Sequence, residues 1–213
     1  MKKSDRLRRS PWSRVPLARF LIVCEGDVTE RIYFKEVGRL ERGLVDVEII
    51  SGGVPKTLVE RAVQRKKESE QEARRRKDQN RRYDEVWCVF DIDVHPFVAE
   101  AKQQAKDNGI DVAVSNPCFE LWLLLHFQER TAHIERDKAG HLCREHMPGY
   151  RKTPPCEALM PRQQEAITRA VQLDKWQAER DNAGGNPSTG VYQLVQRIKA
   201  AREPSARPTY PTR

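Results

Sequence analysis

Four short strand-like segments, two of them unbroken apolar runs and two interrupted by acids, each followed by a stretch with helix-forming character, constrain this chain more than any other feature. Phe20-Leu21-Ile22-Val23-Cys24, Val45 to Ile50, Val86-Trp87-Cys88-Val89-Phe90 and Ile110 to Val114 are each five or six residues long and end at turn-forming or acidic residues. The unbroken runs, Phe20–Cys24 and Val86–Phe90, read as buried strands of a parallel sheet, and Val45 to Ile50 as a partly alternating, β-branched strand. The pattern is βαβαβαβα. The expected fold is therefore α/β, a Rossmann-like parallel sheet of about four strands flanked by helices, with a helical C-terminal part.

The helices follow from local signals. Asp27-Val28-Thr29-Glu30 has the character of a helix start, with Ile32, Phe34, Val37 and Leu40 on one side. After Ser51-Gly52-Gly53, the apolar positions Val54, Leu58, Val59, Ala62 and Val63 stop, whereas helix-forming composition persists to Arg82. That second half is either solvated or in contact with something charged. A third helix is expected from Pro96, with Gly109 beyond its C-terminus, and a fourth with Asn116 as N-cap and Pro117 in its first turn. Residues 128–160 are weakly patterned, and further helices are expected over 162–179 and 190–202, the last capped by Ser188 or Thr189. The expected organisation is a basic flexible arm at 1–19, an α/β core at 20–127, a helical part of the same domain at 128–202, and a proline-rich disordered tail at 203–213.

The strand ends carry the candidate chemistry. Phe20–Cys24 leads into Glu25, and Val86–Phe90 into Asp91-Ile92-Asp93. In an extended chain the period of two points Asp91 and Asp93 to one side, about 6.6 Å apart, and a neighbouring parallel strand lies about 4.8 Å away. If the first and third strands are adjacent, Glu25, Asp91 and Asp93 reach one or two Mg²⁺ ions, and their mutual repulsion calls for such a cation. The plainer reading is that they are solvated acids at strand ends. Glu120 stands alone among apolar residues in Asn116-Pro117-Cys118-Phe119-Glu120-Leu121-Trp122-Leu123-Leu124-Leu125-His126-Phe127. Since burying an unpaired carboxylate is costly, it faces either a polar site near the fourth strand or the one wet edge of its helix. Weaker candidates are Glu30, which could equally close a capping box with Asp27; Asn116, N-cap or phosphate ligand; His95, beside the acidic pair; Ser51-Gly52-Gly53, plain turn or phosphate cradle; and a zinc set from His141, Cys143, His146 and Cys156, whose spacing matches no standard site.

The net charge is +8, which raises the expectation of a polyanionic partner. Ten basic and four acidic residues lie between Arg61 and Arg82, with Arg74, Arg75 and Arg76 the densest run, so this stretch is either a solvated mixed-charge helix or an arm for nucleic-acid phosphates. Five cysteines without a CxxC pair suggest reduced thiols and a cytoplasmic location. No apolar stretch is long enough to span a bilayer, so no membrane partner is expected; self-association stays open.

Taken together, the strand-Cys-Glu-Gly-x-x-Thr-Glu segment, the strand-Phe-Asp-x-Asp-x-His segment, Ser-Asn-Pro-Cys-Phe-Glu-Leu-Trp-Leu-Leu-Leu-His-Phe and the later Asn186-Pro187-Ser188-Thr189-Gly190-Val191 resemble the RloB family of bacterial and archaeal defence-associated proteins, over roughly residues 20 to 200. The resemblance implies a TOPRIM-like fold, in which a glutamate after the first strand and an Asp-x-Asp pair after the third bind Mg²⁺ (or Mn²⁺) and handle phosphoryl chemistry. Here these positions are Glu25, Asp91 and Asp93; Glu120 is, by its own chemistry and apart from the resemblance, a candidate second-ion ligand or base. The resemblance further implies a nuclease of phage defence or abortive infection working with an AAA-type ATPase. The chain has no G-x-x-x-x-G-K-[ST] segment of its own. Alternatives are a non-catalytic toxin or regulatory module docking on an ATPase or RNA, and nucleotidyl transfer at the same metal site.

Overall fold

The computed structural model describes residues 17–41, 45–92 and 97–201. Most of the basic arm, Asp93, His95, Pro96 and the C-terminal tail lie outside them. The elements run β1 (Ala18–Cys24), α1 (Thr29–Leu40), β2 (Val45–Ser51), α2 (Pro55–Arg76), a 3₁₀ turn (Gln79–Arg81), β3 (Glu85–Asp91), α3 (Val98–Asp107), β4 (Asp111–Asn116), α4 (Glu120–Leu125), α5 (Arg136–His146), α6 (Cys156–Leu159), a second 3₁₀ turn (Met160–Arg162), α7 (Gln163–Ala178), β5 (Ser188–Thr189) and α8 (Val191–Ala200).

The sheet order is β2-β1-β3-β4-β5. The first four strands are parallel, and β1 and β3 are neighbours in the register Cys24↔Val89. The fifth strand is antiparallel to β4, pairing Ser115 with Thr189 and Asn116 with Ser188. Ser188 and Thr189 were expected to cap the last helix; they extend the sheet instead, and the cap position falls to Gly190. Thr189 still helps the helix, because its Oγ1 accepts from the Val191 N–H at 3.4 Å.

Alternation along the strands builds two apolar layers. Phe20, Ile22, Trp87 and Val89 face the helices α1, α4, α5, α7 and α8, whereas Leu21, Val23, Val86, Cys88 and Phe90 face α2 and α3. Asp91 shares the parity of Trp87 and Val89, so its side chain points to the α1 and α4 face. Because β1 is followed by β2 on one side and β3 lies on the other, the chain reverses direction between β1 and β3. In open α/β sheets the ligand crevice opens at such a switch point, outside the carboxyl ends of the strands.

Two helices end differently from expectation. α2 stops at Arg76, where Lys77 takes a left-handed conformation (φ 53°), rather than running to Arg82. Its second half buries only Ser69 and Ala73, and it is laced by ion pairs such as Arg74–Glu70 and Arg76–Glu72. α4 begins at Glu120, three residues later than the Asn116 cap predicts, because Asn116 completes β4 and its amide donates to the Gly184 carbonyl at 3.1 Å. Among the described residues no helix is long and apolar enough to cross a membrane. The five cysteines are free, and four are buried.

Candidate functional site

At the carboxyl edge of β1 and β3 the Glu25 N–H donates to the Val89 carbonyl at 3.0 Å, continuing the ladder one residue beyond β1. Its carboxylate then turns across to the next strand, where Oε2 accepts from the Asp91 N–H at 3.3 Å. Glu25 and Asp91 thus meet as strand adjacency requires. Two helix starts bring further acids over them: Glu30 in the first turn of α1 and Glu120 in the first turn of α4. With Asp27 at the rim, they line an open pocket of about 260 Å³. Asp91, Glu30 and Glu120 are only 7%, 7% and 5% exposed, so water screens little of their repulsion.

Two cations from outside the strand–helix units answer this charge. Arg136 Nη2 donates to Asp91 Oδ2 at 2.9 Å, and Lys152 Nζ to Glu120 Oε1 at 2.6 Å, with the Tyr150 hydroxyl donating to the same Oε1 at 3.2 Å. Each is held in place by the fold. Asn186 clasps the backbone of Ile134 from both sides, its Oδ1 accepting from the Ile134 N–H and its Nδ2 donating to the Ile134 carbonyl, each at 2.9 Å, two residues before Arg136. Lys152 sits in the left-handed region (φ 74°), a conformation costing a non-glycine residue on the order of 1–2 kcal/mol. Thr29 Oγ1, donating to its carbonyl at 2.8 Å, fixes it there.

The acids respond unequally. Asp91 is pushed well above the usual aspartate range, by burial first and then by the charges of Glu30, Glu25 and Glu120, against the pull of Arg136. Burial also raises Glu30, with Glu120 and Glu25 adding to it. For Glu120, burial is outweighed by the hydrogen bond and charge of Lys152, and its carboxyl is held below the ordinary value. Glu120 is therefore an ionised anchor and a poor base. Glu30 is the better proton holder, and the capping box with Asp27 is not formed: Glu30 Oε1 instead accepts from the Gly26 N–H at 3.2 Å. A Cβ on Gly26 would lie 1.9 Å from Glu30 Oε2, so the glycine leaves room for that carboxylate.

Among the described residues, no group of three or more His, Cys, Asp or Glu side chains stands close enough to hold a metal ion. The donor chemistry nonetheless fits a hard divalent cation. The facing ligands are carboxylate oxygens, they outnumber the basic groups, and the raised Asp91 and Glu30 record a repulsion that a cation would relieve. On spacing, Glu25 and Asp91 supply a pair, and Asp93, outside the described residues, is needed to complete a set.

The remaining sequence candidates fall elsewhere. Helix α2 runs antiparallel to the strands, about 33 Å over its 22 residues, so Arg74, Arg75 and Arg76 end at the opposite edge of the sheet. There Arg81 and Asp84 meet Arg19 at the start of β1. Ser51-Gly52-Gly53 is a turn: Gly52 and Gly53 have φ of 88° and 125°, the Gly52 N–H is spent on Cys24, and Arg61 Nη1 binds the Ser51 and Gly52 carbonyls. The zinc set is not assembled, since His141 pairs with Glu145, His146 stacks on Phe127, and the Cys143 thiol turns inward to the Glu120 carbonyl. Sequence reasoning missed Arg136, Lys152 and Asn186. Asn186 was visible only as part of a motif, and the other two sit in the weakly patterned segment.

A family model described as RloB-like protein matches residues 20–198. No curated protein and no solved structure matches the chain.

Proposed function

Because the chain belongs to the RloB-like protein family, we propose that it is a metal-dependent phosphoryl-transfer enzyme of the TOPRIM type, cleaving phosphodiesters in phage defence beside an AAA-type ATPase. The observation that carries this reading is the meeting of Glu25 and Asp91 on adjacent parallel strands at the switch point of the sheet, under the crowding acids Glu30 and Glu120. Glu25, Asp91 and Asp93 would hold Mg²⁺ or Mn²⁺, which when bound supplies positive charge to the phosphoryl group. Glu30, buried and with its proton held more tightly than usual, takes and returns a proton at its carboxylate. Glu120, ionised, fixes Lys152 and the floor of the pocket; Arg136 orients Asp91 and adds a positive charge beside it.

The test measures thermal stability with Mg²⁺ or Mn²⁺, and cleavage of labelled DNA and RNA, alone and with the neighbouring ATPase. Wild type should gain stability and cleave, while Glu25→Gln and Asp91→Asn should lose both. Cleavage that survives the double change refutes the assigned site. A second reading, a binding module without turnover, is favoured by one observation: Asp91 and Glu120 already carry protein cations. Cellular defence retained by Asp91→Asn would select it.

A further inference from the structure

Next to the acidic pocket lies a second one of about 490 Å³, between α5 and the loop around Tyr150, and it carries the opposite charge. We propose that this pocket binds a phosphate group of the substrate, which makes that substrate a phosphate-bearing nucleotide or polynucleotide. The inference rests on the phosphoryl-transfer reading and names where its substrate is anchored. Arg136, Gly140 and Arg144 follow one another at i, i+4 and i+8, so they form a single stripe along α5. Arg151 and Lys152 face the stripe from the loop. Against these four cations stand Asp137 and the buried Glu120, which Lys152 already satisfies.

Two features point to an anion rather than to a solvated charged surface. Arg136 and Lys152 are tied to acids, yet Arg144 and Arg151 make no ion pair among the described residues, although both line the same cavity. Two guanidinium groups lining one concavity offer the fork that binds phosphate oxygens bidentately. The second feature is Gly140. A glycine inside a helix weakens it, and nothing in the protein requires one here, because a Cβ would meet only Arg144 Nη1, at an ordinary 3.7 Å. The missing side chain leaves room on the helix beside the Arg144 guanidinium. No aromatic face is offered to a base, since the Tyr150 ring is buried and its hydroxyl is spent on Glu120. Recognition therefore goes to phosphate, and Arg136, which lines both pockets, places it beside the carboxylates.

The experiment uses the full chain in EDTA, with a labelled single-stranded oligonucleotide and with ATP as separate probes. The variants are Arg144→Gln/Arg151→Gln and Gly140→Leu, the latter filling that room with a better helix former. Loss of charge-assisted bonds to phosphate should weaken binding of the true ligand about tenfold or more in each variant. For an oligonucleotide, losing two phosphate contacts should also flatten the log K against log salt slope by about 1.4. Weakening confined to ATP assigns the pocket to a free nucleotide, and weakening confined to the oligonucleotide assigns it to nucleic acid. Unchanged affinity for both probes in both variants overturns the inference. The Mg²⁺-induced thermal shift, which both variants should retain, reports on the acidic pocket separately: its absence from wild type refutes the metal reading while leaving the phosphate result to stand or fall alone.

Discussion

Substituting His126 should change how stability depends on pH, by an amount that the structure sets. The imidazole is fully buried at the end of α4. Its Nδ1 lies 3.0 Å from the Trp122 carbonyl, which can only accept, so Nδ1 carries the proton. Nε2 then accepts from the Tyr33 hydroxyl at 3.3 Å, and that hydroxyl accepts from Gln163 Nε2 at 3.4 Å. No member of this chain carries a charge when the imidazole is neutral. Burial pushes the imidazole down from 6.5 to about 4. The unfolded chain therefore binds a proton that the folded one refuses between these values, and folding stability falls as pH drops through that window. At pH 5 the loss relative to pH 7.5 comes to roughly 2 kcal/mol, a shift of about 4–8 °C in Tm for a chain of this size. His126→Gln keeps a donor and an acceptor but does not titrate. Its Tm should lie below that of wild type at pH 7.5, and the gap should close by those few degrees towards pH 5. Asp91 and Glu30 act in the opposite sense, since carboxyls raised in the fold stabilise it on protonation, but they are common to both proteins and cancel in the difference. Parallel melting profiles between pH 7.5 and pH 5 would refute the buried neutral imidazole.

Asn186→Ala leaves the Ile134 N–H and carbonyl without their side-chain partner and should cost on the order of 1–3 kcal/mol in denaturant unfolding. Gly26→Ala must displace the Glu30 carboxylate, so cleavage should fall while the circular dichroism spectrum is retained; full activity would exclude Glu30 as the proton carrier. Lys152→Met strands a buried carboxylate, and titration by infrared or NMR should find Glu120 raised above its wild-type value. Neutralising Arg74, Arg75 and Arg76 together removes exposed i,i+4 pairs worth about 0.3–0.5 kcal/mol each, so stability should barely move. If the run contacts nucleic acid, the salt dependence of binding flattens while the Mg²⁺ shift persists, because the arginines stand at the far edge of the sheet.

The parts of the fold legible in the sequence are those encoded locally. Phe20–Cys24 and Val86–Phe90 announce themselves as doubly buried strands, and the acids at their ends follow from the strand ends. That Glu25 and Asp91 meet depended on β1 and β3 being neighbours, a conditional step that the register confirms. β5 escaped detection because two residues carry no periodicity; Ser188 and Thr189 pair antiparallel with β4 only after the chain has passed through α4 to α7, and Gln177 Nε2 of α7 donates to the Pro187 carbonyl at 2.8 Å. The end of α2 was misplaced for a related reason. Helix propensity stays high through Arg82, but the chain must turn back to enter β3, and Lys77 in the left-handed region makes that turn.

The basic half of the site was illegible for a deeper reason. Arg136 and Lys152 have no pattern of their own, and their meaning comes from the carboxylates that they reach across 45 and 32 residues of sequence. Burying Asp91, Glu30 and Glu120 together without compensation would force protons onto them, since each interaction between like charges grows as water is excluded. The fold pairs one acid with a guanidinium and another with an ammonium, and leaves Glu30 as the acid whose hold on a proton is strengthened without an ion pair among the described residues to offset it. Each protein cation thus occupies a position where positive charge is wanted, yet both also line the neighbouring basic pocket. A phosphate arriving there competes with Asp91 and Glu120 for Arg136 and Lys152, and any donor bond that it draws away leaves a carboxylate in need of a cation. Anion binding in one pocket and cation binding in the other are therefore coupled through two side chains, and each should strengthen the other.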